Sequence, residues 1–450
     1  PGSLAHHLGF GPHVQESSAT IAGRLREGLT ASENVFADID QGNVDQAIAG
    51  AAKKIEAVYG TPFVSHACME PMNCTARVTA ERAEVWVPSQ NAEASLAALA
   101  AVTGLPLEKC EAYNPPLGGG FGRRGGTQDY VRQAALIAKQ FPGTPVKLIW
   151  TREEDMTHDF YRPIGMCRLV AGVDAQGELV GLHLRVSGQS INAHSSPHNI
   201  INGKDRRQLQ GYWKEPGESQ LGYTIPHLRV EYAMRNTHVP VGPWRGVNTN
   251  QNAIYLECFM DEVARAAGKD PLAFRRALLK NHPKHLGVLD AVADKGGWDK
   301  PLAPGVYRGI AQFMGYGSYT AAIAEVSVKG RDVRVHRLIL ATNCGHAVNP
   351  VQVASQIEGS VAYGMDSLQS ESNVQDGRIV EKNFDTYPIA RLYQMPKIES
   401  VIAPTYDFWG GVGEPTICVV APAILNAIAA ARGGQPVRML PLKNEGLRLV

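Results

Sequence analysis

Apolar residues along this chain recur at two periods, and the switch between them divides it into strands and helices. Ala83-Glu84-Val85-Trp86-Val87 puts Val85 and Val87 on one face and stops at Pro88, as a short strand does. Over 92–102, Leu96, Leu99, Ala100 and Val102 follow near-helical spacing until Gly104 and Pro106 end the run. A second helix is predicted over 128–140, with Val131, Ala134, Ala135 and Ala138 inside. Strand-like alternation marks 146–150, 167–173, 179–186 and 228–233. Residues 252–267 read as an amphipathic helix closed by Gly268, and Asp270-Pro271 supplies the cap and first turn of the next. Residues 20–56 read as a polar helical arm with a turn at Gln41-Gly42-Asn43. Past a linker at 301–305, strands are expected at 324–328 and 333–341, and helices near 350–364 and 420–432. The sum is an α+β (mixed α/β) chain, and 450 residues imply at least two domains.

Composition removes several function classes. Lys+Arg 44 against Asp+Glu 43 leaves a net charge of +1, so no single-sign field gathers nucleic acid or an anionic membrane. The longest apolar stretch, 417–431, is broken by Pro422 and Asn426 and is too short to span a bilayer. The 7 cysteines show no CxxC and no iron–sulfur or zinc spacing, so any electron carriers are expected on another chain. Pro1-Gly2-Ser3 opens without Met, basic region or apolar core, which suggests a removed leader or a longer parent, and His6-His7 reads as an ordinary or tag-like pair. Charged residues are only 19%, below the roughly 25% of ordinary domains, which is expected of surface buried against another subunit.

Three glycine-bearing segments carry the candidate chemistry. Gly118-Gly119-Gly120-Phe121-Gly122-Arg123-Arg124-Gly125-Gly126 stands just before a helix, where backbone N–H groups can approach a ligand closely. Gly120 to Gly125 formally matches GxGxxG. The context for a dinucleotide is missing, because Pro115-Pro116 replaces the strand end and no acid follows at about 20 residues. A purely structural glycine turn is the other reading. Gly410-Gly411-Val412-Gly413-Glu414-Pro415 sets a carboxylate in an apolar stretch, which suits a general base or a helix-leading Glu favoured by the dipole. Pro243-Trp244-Arg245-Gly246 offers a pocket wall and an anion partner, or a surface ion pair beside a core Trp. His194 and His198 are separated by Pro197 and make a poor metal pair; Glu153-Glu154-Asp155 reads as a solvated turn or helix start, and 204–207 as a mixed-charge loop.

In this order, Gly118 to Gly122, Trp244-Arg245-Gly246, Gln356-Ile357-Glu358-Gly359 and Gly411-Val412-Gly413-Glu414-Pro415 resemble the molybdenum hydroxylases. That is the xanthine oxidase and aldehyde oxidoreductase family, in its molybdopterin-binding large subunit. His66-Ala67-Cys68-Met69-Glu70-Pro71, Gly120 to Arg124 and Phe160-Tyr161-Arg162-Pro163 look like the isoquinoline 1-oxidoreductase β-subunit type and the membrane-bound aldehyde dehydrogenases. The resemblance implies an N-terminal arm at 1–56 and two molybdopterin-binding domains of the xanthine oxidase large-subunit type. The first, 57–285, carries GGGFG and WRG; the second, 286–450, carries QIEG and GVGEP. It implies Glu414 as catalytic base, and a cofactor site shaped by Gln90, Gly119, Gly120, Phe121, Gly122, Arg123, Trp244, Arg245, Gly246, Gln356 and Gly413. The implied cofactor is molybdopterin cytosine dinucleotide with Mo, which brings its own metal ligands, so no protein metal ligand is expected. [2Fe–2S] clusters on a small partner subunit would carry the electrons, with a cytochrome c subunit as a further candidate partner.

Two departures qualify that resemblance. Purine-oxidising members have Lys-Glu after GGGFGG, whereas Arg124-Gly125 stands here, which counts against xanthine. The family's MGQG-type cofactor segment has no match in the chain, so an N-terminal portion is expected on a separate or cleaved polypeptide. The expected function is a hydroxylase subunit oxidising an aldehyde or N-heteroaromatic with water as oxygen source. A non-catalytic scaffold and a nicotinamide-dependent dehydrogenase are the alternatives. A periplasmic location is the expectation by resemblance, with the cytoplasm as the other possibility.

Overall fold

The computed structural model describes residues 12–214 and 220–450; Pro1 to Ser3 and His6-His7 lie outside the described residues. Its first sheet has five strands in the order Val35–Gln41, His227–Met234, Leu179–Gly188, Gly165–Val173 and Lys53–Thr61. Only His227–Met234 and Leu179–Gly188 run parallel within it. Gly165–Val173 is buried along almost its whole length, which explains its continuous apolar run. The short helix Val44–Ala49 and the long helix Val247–Ala266 pack on this sheet.

The polar arm is therefore not helical throughout. It contains the helix Ser18–Gly28, the edge strand Val35–Gln41 and the helix Val44–Ala49 before Lys53–Thr61 begins. In the edge strand only Ile39 is buried, so tertiary pairing with His227–Met234 decides its conformation and leaves little alternation to read. The expected turn is present, with Gly42 at φ 69°.

A smaller four-stranded sheet runs Cys110–Tyr113, Ala83–Trp86, Asn73–Val78, Val146–Ile149. Helices Ala92–Thr103 and Asp129–Ala138 cover it. The first starts where Asn91 Oδ1 accepts the Ala94 N–H at 3.0 Å, and ends where Gly104 turns left-handed at φ 77°.

The C-terminal part is built on a long hairpin, Ser318–Lys329 and Asp332–Asn343, flanked by Tyr307–Gly315 and Lys397–Ile402. The polar and small residues 318–322 hide the strand's first half from the sequence pattern, since Ala321 and Ala322 carry little apolar signal although both are fully buried. The helix Ile417–Ala431 packs against this sheet and against Val247–Ala266. It is apolar and buried on nearly all sides. Gly309 makes the approach possible, because a Cβ there would lie 2.1 Å from Ala427 N. One large core unites the first sheet, the C-terminal sheet and their helices, and a separate one lies under the four-stranded sheet; Phe121 packs against both.

Candidate functional site

The turn 118–126 leaves the small sheet after Cys110–Tyr113 and reaches across the seam between the two cores before Asp129–Ala138 begins. Its backbone is held from several sides. Gln90 Oε1 accepts the Gly122 N–H at 3.0 Å and the Arg124 N–H at 3.3 Å, and the Arg245 N–H donates to the Phe121 carbonyl at 2.8 Å. Phe121 takes φ 53° and Gly122 φ 113°. A Cβ at Gly120 would meet Gln90 Oε1 at 2.4 Å, and one at Gly122 would meet the Pro243 carbonyl at 1.7 Å. Glycine is needed at 122, where the obstruction is backbone and φ is positive; at 120 a side chain would displace the end of Gln90.

The Arg245 guanidinium ties three distant segments together. Its Nε donates to the Gly413 carbonyl at 2.8 Å and Nη1 to the Gly359 carbonyl at 3.1 Å. Nη2 donates to the Gln356 carbonyl and to Gln356 Oε1, both at 3.1 Å. Burial lowers its pKa, yet four acceptors compensate the charge. The Glu414 loop is fastened to the hairpin by Gly410 N–H to Cys344 O at 2.9 Å, Gly411 N–H to Tyr316 O at 2.8 Å and Ser318 Oγ to Gly411 O at 2.6 Å. Glu414 Oε1 accepts the N–H of Gly246, the residue that precedes Val247–Ala266, at 3.0 Å. A carboxylate is favoured at such a helix start.

These segments enclose a cleft of about 890 Å³. Gln90, Gly120, Phe121, Gly122, Arg245, Gln356, Gly413 and Glu414 all line it. The remaining expected residues stand behind the wall. Trp244 is fully buried, stacked on Tyr363 with ring centroids 4.2 Å apart, and Tyr363 stacks in turn on Phe121 at 4.2 Å. Arg123 is buried against Asp129 at 2.8 Å and Asp159 at 3.2 Å. Gly119 accepts from Arg124 Nε at 2.9 Å, and Gly246 holds Glu414 through its N–H. Arg124 itself is fully buried and donates to the Pro88 and Glu70 carbonyls, so it staples the turn and does not face the cleft.

The opposite wall was not legible in the sequence. Asn192, Ser195, Asn199, Arg207, Gln208 and Asn248 bring amide, hydroxyl and guanidinium groups to it. Five of them sit on or beside short helical turns between 191 and 209 and Asn248 in the first turn of Val247–Ala266, where small polar residues show no period; only the local density of Asn, Ser and His over 189–199 hinted at this wall. Among the described residues no group of three or more His, Cys, Asp or Glu could hold a metal ion. A metal held by an organic cofactor needs none. The cleft's size, its many hydrogen-bonding groups and the close backbone approach that Gly120 and Gly122 allow fit such a cofactor.

Comparison with known proteins agrees with that geometry. Sequence models of the molybdopterin cofactor-binding domain match residues 29–279 and 293–396. The chain belongs to this family, that of the molybdenum hydroxylase large subunits. It is 28% identical over 418 residues to the isoquinoline 1-oxidoreductase subunit beta of Brevundimonas diminuta, covering 88% of this chain and 52% of that protein. It is also 28% identical over 462 residues to the membrane-bound aldehyde dehydrogenase [pyrroloquinoline-quinone] of Gluconacetobacter polyoxogenes, covering 96% and 59%. The chain thus spans little more than half the length of these relatives. Among solved structures, quinoline 2-oxidoreductase from Pseudomonas putida 86 superposes with a TM-score of 0.74 at 14% identity, over 91% of this chain and 77% of that one. The aldehyde oxidoreductase of Desulfovibrio gigas does so with a TM-score of 0.74 at 15% identity, over 91% and 62%.

Proposed function

We propose that the cleft holds the molybdenum–molybdopterin cofactor in its cytosine dinucleotide form, and that the chain serves a hydroxylase oxidising an aldehyde or an N-heteroaromatic with water as oxygen source. The observation that carries this reading is the convergence of Gln90, Phe121, Gly122, Arg245, Gln356 and Glu414, from five separate segments, on one cleft. Bound there, the cofactor would supply the two-electron acceptor.

The chain's own residues have defined tasks on this reading. Gln90 and the Arg245 N–H fix the Phe121–Gly122 peptide, whose backbone forms the floor. The Arg245 side chain locks the Gln356 and Gly413 segments at fixed spacing. Glu414 is the general base: Gly246 orients its carboxylate at the wall, where it can take a proton from a water in the cleft. Names of relatives that include subunits support a multi-subunit assembly, with a [2Fe–2S] subunit as the proposed electron exit. Purification of the intact complex, followed by metal analysis and release of the bound nucleotide, tests the proposal. Molybdenum and a cytidine nucleotide in near-equal amounts are expected; a complex with neither overturns it.

A further inference from the structure

Next to the Phe121–Gly122 turn lies a buried polar cluster whose residues do not line the cleft. His66 Nδ1 donates to Asp159 Oδ1 at 2.9 Å, and His66 Nε2 donates to the Pro243 carbonyl at 2.9 Å. Both ring nitrogens lie within hydrogen-bond distance of an oxygen, and the Pro243 carbonyl can only accept from Nε2. Asp159 is 2% exposed. Its Oδ2 accepts from Ser65 Oγ at 2.7 Å and from the His66 N–H at 2.6 Å. Burial pushes the Asp159 carboxyl up, but His66, Arg123 and Ser65 outweigh it and hold it well below the usual carboxylate range.

The Pro243 carbonyl is the atom against which Gly122 packs. Gly122 and Pro243 line the cleft and also, with His66 and Arg123, a second cavity of about 460 Å³. Gln90 fixes the Gly122 N–H from the cleft side, the Arg245 N–H fixes the preceding carbonyl, and His66 fixes the surface on which Gly122 rests.

We propose that His66, anchored by Asp159, is a positioning residue of the cleft: it holds the Pro243 carbonyl, and through it sets the pitch of the Phe121–Gly122 backbone facing the ligand. The inference rests on the cofactor reading above for what that ligand is. Its geometry gives a discriminating pair of variants. In His66→Gln the amide nitrogen stands near the ring Nε2 position and keeps the donor to Pro243. In His66→Asn it stands near the Nδ1 position, keeping the donor to Asp159 and losing Pro243.

In the intact complex, His66→Gln should retain the amide hydrogen exchange of residues 118–126, the Mo(V) spectrum and kcat of the parent. His66→Asn should show faster exchange in that segment, an altered spectrum and a kcat lowered on the order of ten- to hundredfold, since small misplacements in a site have effects of that size. Equal behaviour of the two variants, or better rescue by Asn than by Gln, overturns the inference. If His66→Asn does not fold, Asp159→Asn loosens the same pair while keeping an acceptor, and unchanged exchange at 118–126 would then overturn it. The exchange measurement needs no bound cofactor. A parent complex without molybdenum would therefore sink the proposed function while leaving this test standing.

Discussion

Gly246 donates its backbone N–H to Glu414 Oε1 at 3.0 Å, so the residue ahead of one long helix holds the carboxylate that stands ahead of another, Ile417–Ala431. Gln at 414 keeps that acceptor and the shape of the side chain while removing the proton-accepting carboxylate. Glu414→Gln should leave cofactor content at the parent level and lower kcat by about 10²–10⁴, the usual contribution of a general base. Metal analysis and steady-state kinetics on the same preparation check both halves, and near-parental turnover would remove Glu414 from the chemistry.

The glycine turn allows a paired comparison four residues apart. A Cβ at Gly122 would lie 1.7 Å from the Pro243 carbonyl at a φ of 113°, whereas a Cβ at Gly126 meets nothing within 4 Å. Gly122→Ala should therefore cost about 2–4 kcal/mol through overpacking and backbone strain. Gly126→Ala should be close to neutral. Urea unfolding of the two variants separates these outcomes.

The same turn shows how far the sequence could be read. Its glycines, and those before Glu414, mark close approach of backbone to something, and both segments do line the cleft. A motif does not say which way each side chain points: Arg123 and Trp244 belong to the motifs yet face the interior. The strands of the sheets were legible where apolar residues alternate, as at 179–186, and hidden where pairing alone decides, as at Val35–Gln41. Contacts between residues far apart in the chain were invisible. His66 and Asp159 lie 93 residues apart, and Arg245 and Gln356 111 apart, with no local pattern announcing either pair.

Deep beneath the site, Arg275 is fully buried between Glu257 at 2.9 Å and Asp261 at 3.1 Å. Glu257 also accepts from Tyr223 Oη at 2.6 Å and the Gln312 N–H at 3.0 Å. Arg275→Met would leave the buried Glu257 without its cation, while Asp261 keeps Arg265, at a cost of about 3–5 kcal/mol. Adding Glu257→Gln should recover part of the loss. A denaturation series of the single and double variants reads the coupling directly.

Asp366 gives the fold a pH dependence of defined sign. It faces a cavity of about 180 Å³ beside Tyr363 and Tyr387, and burial pushes its carboxyl from 3.8 up to about 7. Between those values the folded chain binds more protons at this site than the unfolded chain, so its contribution to stability falls as pH rises and is fully present only below the lower one. The difference in unfolding free energy between Asp366→Asn and the parent should grow in the variant's favour from about pH 4 to 7. A constant difference across that range would contradict the burial argument.

Tyr363 lies sandwiched between Phe121 and Trp244, each ring 4.2 Å from its neighbour. Phe121 touches the cleft, whereas Trp244 has no solvent exposure at all. A ligand that tilts the first ring must pass the tilt through the second to an indole with no exposed surface. The chain thereby carries a built-in optical gauge, in which near-ultraviolet dichroism of a deep tryptophan registers occupancy of a cleft it does not itself line.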